Sequence, residues 1–349
     1  METKVAIIND LDKDKKFISE AGEIIRAGGT VAFPTETVYG LGADALNAEA
    51  VKKIFIAKGR PQDNPLIIHV ASKNIEHLVE GISPVAQKLM DKFWPGPLTI
   101  IFNKKDIVPN ETSAGLSTIG VRMPNSSIAL ELIKASGTTI AAPSANISGR
   151  PSPTDVERCV EDLDGKINYI LGGAKCDIGV ESTIIDCTVN PPMVLRPGGI
   201  TLEMLRTIDK DIVIDEALKS KPTEDLKPKA PGMKYRHYAP KAKLKIITGK
   251  NEKTVEIMCK MLENYIENNS KVAIITTDEN IEYFKDGEIL SLGSNNNLNE
   301  IAKNLFETLR KCDDLGVEYI LCQGFEEDGV GLAIMNRLNK AAGYDIIKV

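Results

Sequence analysis

The stretch Leu244–Thr277, LKIITGKNEKTVEIMCKMLENYIENNSKVAIITT, decides the reading of the fold. Its ends are short apolar runs, Leu244–Thr248 and Val272–Thr277, and between them Lys253–Glu267 carries apolar residues at helical spacing. Two such strands joined by an amphipathic helix are the unit from which parallel sheets are built. The alternation continues to the C-terminus as strand Glu288–Leu292, helix Leu298–Lys311, strand Tyr319–Leu321, helix Val330–Ala341 and strand Ile346–Val349. A small Rossmann-like parallel-sheet domain over residues 242–349 follows. Its first turn, Thr248-Gly249-Lys250-Asn251, lacks the Gly-x-Gly-x-x-Gly fingerprint, so the reading is of a shape without a cofactor.

Toward the N-terminus the pattern is less regular. A polar helix over Asp12–Arg26 stops at Gly28-Gly29, and strand Thr30–Phe33 runs into Pro34. Helical spacing returns over Ala48–Ala57, then at Pro84–Phe93, Ser127–Ala135 and Thr154–Glu161. Strands read at Pro65–Val70, Leu98–Asn103, Thr118–Arg122, Thr139–Ala142, Tyr169–Leu171, Ser182–Asp186 and Met193–Leu195. Strands outnumber helices at uneven intervals, so the expectation for residues 1–207 is a twisted mixed α/β sheet. Residues 208–241 break the pattern. Lys219–Lys229 is rich in Lys, Pro and Glu, yet it leads into Pro231–Pro240, where Tyr235, Arg236, His237 and Tyr238 crowd together. A plain spacer has no need of such a string, unless its aromatics dock on a neighbouring domain.

The chain has 349 residues, about two domains' worth, with 42% hydrophobic and 26% charged residues. Its formal net charge of −6 and 5% aromatics argue against strong direct nucleic-acid binding. No apolar run is long enough to span a bilayer, and the start does not read as a signal peptide, so the expected location is the cytoplasm. The six cysteines form no Cys-x-x-Cys pair and read as free thiols.

Nucleophilic machinery is absent from the pattern: no P-loop, no His-Glu-x-x-His, no Gly-x-Ser-x-Gly. What recurs is a polar group where a strand or helix stops. Thr35 and Thr37 follow the first core strand, where they either bind a ligand or cap a helix. Lys58 and Arg60 flank Gly59, either as a solvated helix end or as an anion site. His69 closes a strand as a core hydrogen-bonding group or a pocket wall. Arg122, Ser144-Ala145-Asn146, Ser152, Ser182 and Arg196 also sit at strand ends or in the loops beyond. Together they predict one rim of a sheet lined by groups suited to phosphates and a carboxylate. Such a set works by positioning and electrostatics, as in phosphoryl or nucleotidyl transfer.

Taken in order, Gly28–Gly42, Lys58–Val70, Pro95–Ile101, Ser117–Pro124, Ala142–Thr154, Glu181–Asp186, Val194–Gly199 and Pro231–Pro240 resemble the YrdC-like threonylcarbamoyl-AMP synthase family, in its long form with a C-terminal Rossmann-like domain. The resemblance implies a nucleotidyltransferase that joins L-threonine, bicarbonate and ATP, with Mg2+, into threonylcarbamoyl-AMP and pyrophosphate. The product would pass to a tRNA threonylcarbamoyltransferase acting on tRNAs that read ANN codons. The family pattern puts Thr35, His69, Arg122, Ala142 (through its backbone) and Ser182 around threonine, with Thr37 competing with Thr35. It puts Lys58, Arg60, Thr118, Ser144, Asn146, Ser152, Arg196 and Tyr235 around the nucleotide, with Lys58 and Arg60 catalytic and Asn64 or Arg150 as further candidates. It also makes residues 208–241 a linker whose Tyr235, Arg236, His237 and Tyr238 would fold back as a lid over the active site. Competing readings are an RNA-binding module of the same fold, a carbamoyl-adenylate enzyme of hydrogenase maturation, whose zinc-finger cysteine pairs are absent from this sequence, and an ATP sensor without turnover.

Overall fold

The computed structural model describes residues 2–219 and 237–349, which divide into two units. One comprises 2–148, 152–177 and 181–219; the other comprises 149–151, 178–180 and 237–349. The first unit is a mixed sheet of eleven strands: β1 (Lys4–Ile7), β2 (Val31–Phe33), β3 (Gly40–Asp44), β4 (Ile67–His69), β5 (Leu98–Asn103), β6 (Thr118–Arg122), β7 (Ile140–Ala142), β8 (Tyr169–Gly172), β9 (Thr183–Asp186), β10 (Met193–Arg196) and β11 (Val213–Ile214). Their order across the sheet is β1-β8-β2-β3-β7-β4-β6-β5-β9-β10-β11. The second unit is a five-stranded parallel sheet, β12 (Lys243–Thr248), β13 (Val272–Thr276), β14 (Glu288–Ser291), β15 (Tyr319–Gln323) and β16 (Ile346–Lys348), in the order β14-β13-β15-β12-β16. The mixed and parallel α/β sheets are those the sequence predicts.

Local chemistry sets the element ends. Asn47 accepts from the backbone N–H groups of Glu49 and Ala50 to start the helix Ala48–Lys58, and Gly59, at φ 60°, closes it in the left-handed conformation that glycine adopts without penalty. Lys58 is therefore the last helical residue and its side chain is buried. Asp155 caps Val156–Leu163 by accepting from Arg158, so that helix starts two residues after the expected Thr154. The helix predicted to end at Lys311 runs to Leu315 and stops at Gly316, φ 62°.

Among the strands that the sequence pattern does not mark is β3. Gly40-Leu41-Gly42 carries no strand pattern in the sequence, yet it opens β3, antiparallel to both β2 and β7. The glycines are there for space. A Cβ on Gly42 would lie 2.6 Å from Ile140 Cγ2 and 2.8 Å from Phe33 Cε1, because the Phe33 ring crosses the strand at that point. Gly42→Ala is expected to destabilise the protein by about 1–3 kcal/mol through overpacking, read as a lower urea midpoint. An unchanged or higher midpoint would mean that the ring yields.

Candidate active site

The strands do not all run one way, and this rearranges the expected rim. β4 pairs parallel with β6, setting His69 opposite Arg122, but antiparallel with β7, setting Ile67 opposite Ala142 and Ile140 opposite His69. The last residues of β6 and β7 thus lie at opposite edges of the sheet. What the predicted residues share is a face. Alternation along each strand and the cross-strand register put Phe33, His69, Thr118, Arg122, Ala142, Thr99, Ser182 and Arg196 on the same side. Gly120 supports this: a Cβ there would meet Thr99 Cγ2 at 3.0 Å and Ile67 Cγ1 at 3.6 Å.

At the centre of that face Arg122 is buried, with 4% of its surface exposed. Its Nε donates to the Gly96 carbonyl at 3.2 Å and its Nη1 donates to Thr37 Oγ1 at 3.0 Å. Its Nη2 lies 2.7 Å from Glu36 Oε1, a buried ion pair whose angle falls short of a hydrogen bond. The hydroxyls beyond have a fixed direction. Thr35 Oγ1 spends its one proton on the Val38 carbonyl at 2.6 Å, so across the 2.8 Å contact between the two threonines it is Thr37 that donates to Thr35. The chain Arg122→Thr37→Thr35→Val38 places Thr37 against the cation and Thr35 one bond behind. A guanidinium has five N–H groups, and these contacts leave part of the fork on Nη1 and Nη2 for an anion.

His69 packs edge-on to Phe33, ring centroids 6.0 Å apart, and donates from Nδ1 to the Ile67 carbonyl at 3.1 Å. Burial, reinforced by the Arg122 charge, pushes its pKa down to about 3, so the ring beside Arg122 is neutral. Further along, Ser182 Oγ meets Thr99 Oγ1 at 2.8 Å, and Arg196 grips Ser182 twice, Nε to its carbonyl at 3.0 Å and Nη2 to its hydroxyl at 3.1 Å. Arg196 is thereby turned toward Ser182, on the threonine side of the expected division.

A second group gathers around the loop after β7. Lys58 Nζ donates to the carbonyls of Ser144 and Asn146, both at 2.5 Å, and approaches Asn146 Oδ1 at 3.4 Å. Ser144 Oγ donates to that same Oδ1 at 2.5 Å. Burial and the neighbouring Arg60 charge lower the Lys58 pKa well below its ordinary value. Lys58 therefore clamps the Ser144–Asn146 loop from beneath and does not project into open space. Arg60 is half-buried, with Nη2 on the Asn64 carbonyl at 3.3 Å and its guanidinium over Phe55. Ser152 Oγ donates to Glu181 Oε1 at 2.6 Å. Thr118 opens β6, four residues before Arg122, and at about 3.3 Å per residue it is roughly 13 Å up the strand.

The places of other groups are not legible in the sequence. Glu36, between the two threonines, carries no signal of its own in the sequence, although a buried carboxylate is what the buried Arg122 requires. Asn64, a further candidate in the sequence, is 1% exposed, and neither end of its side-chain amide finds a hydrogen-bond partner among the described residues. The lid string falls partly outside the described residues: Tyr235 and Arg236 lie there. Tyr238 is buried inside the second unit, stacked on Phe306 at 5.0 Å with the Arg337 guanidinium over its ring, as a docked linker residue would be. Among the described residues no three His, Cys, Asp or Glu side chains gather to hold a metal, and no helix is long and apolar enough to cross a membrane.

Residues 23–198 match the family model of Sua5, YciO and YrdC proteins, described as telomere recombination. Residues 200–343 match the model described as the threonylcarbamoyl-AMP synthase C-terminal domain. The chain is 48% identical to the threonylcarbamoyl-AMP synthase of Pyrococcus abyssi, over 98% of this chain and 99% of that one. It is 44% identical to the Bacillus subtilis protein of the same name, over the full length of both. The crystal structure of P. abyssi Sua5 complexed with L-threonine superposes with a TM-score of 0.93 at 47% identity, covering 100% of each chain.

The neutral ring gives a pH prediction. Its folded pKa of about 3 lies below the ordinary 6.5, so between those values the unfolded state binds more protons. The stability tied to His69 is therefore present above pH 6.5 and is lost as pH falls toward 3, with a slope of up to about 1.4 kcal/mol per pH unit. Unfolding free energies of the wild type and His69→Asn, compared between pH 6.5 and 4, should show a flatter dependence in the variant. Parallel curves would mean that His69 is protonated in the folded protein.

Proposed function

The chain belongs to the threonylcarbamoyl-AMP synthase family, and from that premise we propose that it forms L-threonylcarbamoyl-AMP and pyrophosphate from L-threonine, bicarbonate and ATP. The observation that carries this reading is the Arg122 cluster: a buried cation, anchored on three sides and still holding unused N–H groups, beside a neutral imidazole and the Ser182–Arg196 pair. Such a fork fits a carboxylate. The hydroxyls of Thr37 and Ser182 fit the remaining polar groups of a small amino acid, and the complex of the P. abyssi relative with L-threonine agrees with that choice.

The chemistry runs in two balanced steps. Threonine's amine, as the free base, adds to carbon dioxide from bicarbonate; the proton that the amine loses is taken up as bicarbonate dehydrates, so water alone leaves and an N-carboxylate remains. An oxygen of that carboxylate attacks the α-phosphorus of ATP, the bond to the β-phosphate oxygen breaks, and pyrophosphate departs. Neutral His69 adds no positive charge that would compete with Arg122 for the carboxylate. The Lys58-clamped loop and Arg60 would meet the nucleotide, and Arg196 would bridge the two substrates. ATP would arrive as its magnesium complex, whose ion would offset the charge of the departing pyrophosphate.

We place the enzyme ahead of a tRNA threonylcarbamoyltransferase, which would carry the group from the mixed anhydride to the adenosine 3′ of the anticodon in tRNAs reading ANN codons. The test is pyrophosphate release from ATP with each co-substrate left out in turn. Release should require both threonine and bicarbonate. Equal release without either one would sink the assignment.

A further inference from the structure

The second unit contains a crevice that the reaction above does not use. In its sheet β15 and β12 are neighbours, but the chain leaves them in opposite directions: from β12 it crosses β15 to reach β13, and from β15 it crosses β12 to reach β16. With right-handed crossovers the helices Asn251–Glu267 and Gly331–Ala341 then lie on opposite faces, and a gap opens at the carboxyl ends of the two strands. A cavity of about 500 Å³ occupies that gap.

Its walls have a definite chemistry. On one side, Gly249, Lys250 and Asn251 lead into the 17-residue helix, whose first turn receives no side-chain cap, so backbone N–H groups and Lys250 face the cavity together. Thr254, in that turn, is 2% exposed, lines the cavity, and its hydroxyl finds no partner among the described residues. The floor is Gln323. Its Oε1 accepts from Thr276 Oγ1 at 2.8 Å and from Asn280 Nδ2 at 2.9 Å, which commits the carbonyl and turns the amide N–H groups to the cavity. Leu298 and Phe325 add apolar lining, and Glu326 and Asp328 add two carboxylates to it. Gly324 brings the two strand ends together; a Cβ there would lie 2.7 Å from Thr248 Cβ.

We propose that this crevice binds a 5′-nucleoside monophosphate. The phosphate would sit on the helix N-terminus with Lys250 and Thr254, and the ribose hydroxyls would donate to Glu326 and Asp328. The turn lacks the glycines that let a backbone wrap a pyrophosphate, which favours a single phosphate over a dinucleotide. The proposal does not depend on the catalytic assignment.

The test uses the full-length protein and follows the backbone amide resonances of residues 250–254 and 324 by NMR during titration with AMP, ribose 5-phosphate and inorganic phosphate. Because those amides report only this crevice, nucleotide binding in the first unit does not confuse the result. AMP should shift them saturably, with ribose 5-phosphate weaker and phosphate weaker still. Lys250→Ala should weaken AMP by about tenfold or more, the scale of one charge-assisted hydrogen bond, and Thr254→Val should weaken it as well. Equal affinity for inorganic phosphate and AMP would overturn the nucleoside assignment. No shift at about 10 mM AMP, weaker than a specific site of this kind would bind, or unchanged affinity in both variants, would overturn the site.

Discussion

A guanidinium taken out of water is costly unless its surroundings replace the lost hydration, and Arg122 is such a group. Its partners explain much of the first unit's irregular architecture. The Gly96 carbonyl comes from the turn before β5, and Glu36 and Thr37 come from the turn after β2, so two loops distant in sequence converge on one cation. Thr37 must present an oxygen to it, which obliges Thr37 to donate onward to Thr35, and Thr35 to Val38. The Pro34–Val38 turn is shaped by this demand as much as by its own propensities. Removing one partner would leave a buried charge short of compensation, so the cluster holds together as a set.

The mixed strand directions make such a cluster possible. In an all-parallel sheet the functional loops gather at the carboxyl edge. Here β7 runs against β4 and β6, and the polar side chains instead share one face, with glycines at 40, 42 and 120 leaving room for Phe33, Ala142 and Thr99. The second unit is an ordinary parallel sheet, and its crevice lies at the carboxyl edge of its strands. Each unit follows the rule proper to its own topology.

This difference also governs what the sequence reveals. The second unit's strands and helices are legible because strand–helix alternation is a local signal, visible within thirty residues. The first unit's class is legible, but β3 is not: its glycines serve tertiary space at Phe33 and Ile140, and no local pattern records that. The candidate residues stand out by type and position after strands, yet their roles depend on partners far along the chain. Lys58 reads as a cation facing a ligand, whereas its ammonium reaches back to carbonyls 86 and 88 residues away. Glu36 goes unnoticed between two threonines until Arg122 is seen beside it. Tyr238 reads as part of a lid or as a docked linker residue, and the partners of its ring, Phe306 and Arg337, lie far along the chain.

The account turns on Arg122 as the fixed cation that receives threonine's carboxylate. The most direct measurement is calorimetric titration of L-threonine into wild type and Arg122→Lys, with the fold of both checked by circular dichroism. A lysine keeps the charge but loses the planar fork, so the account predicts affinity weaker by about tenfold or more with the fold intact. Equal affinity in a folded variant would contradict it and move threonine to another part of the face.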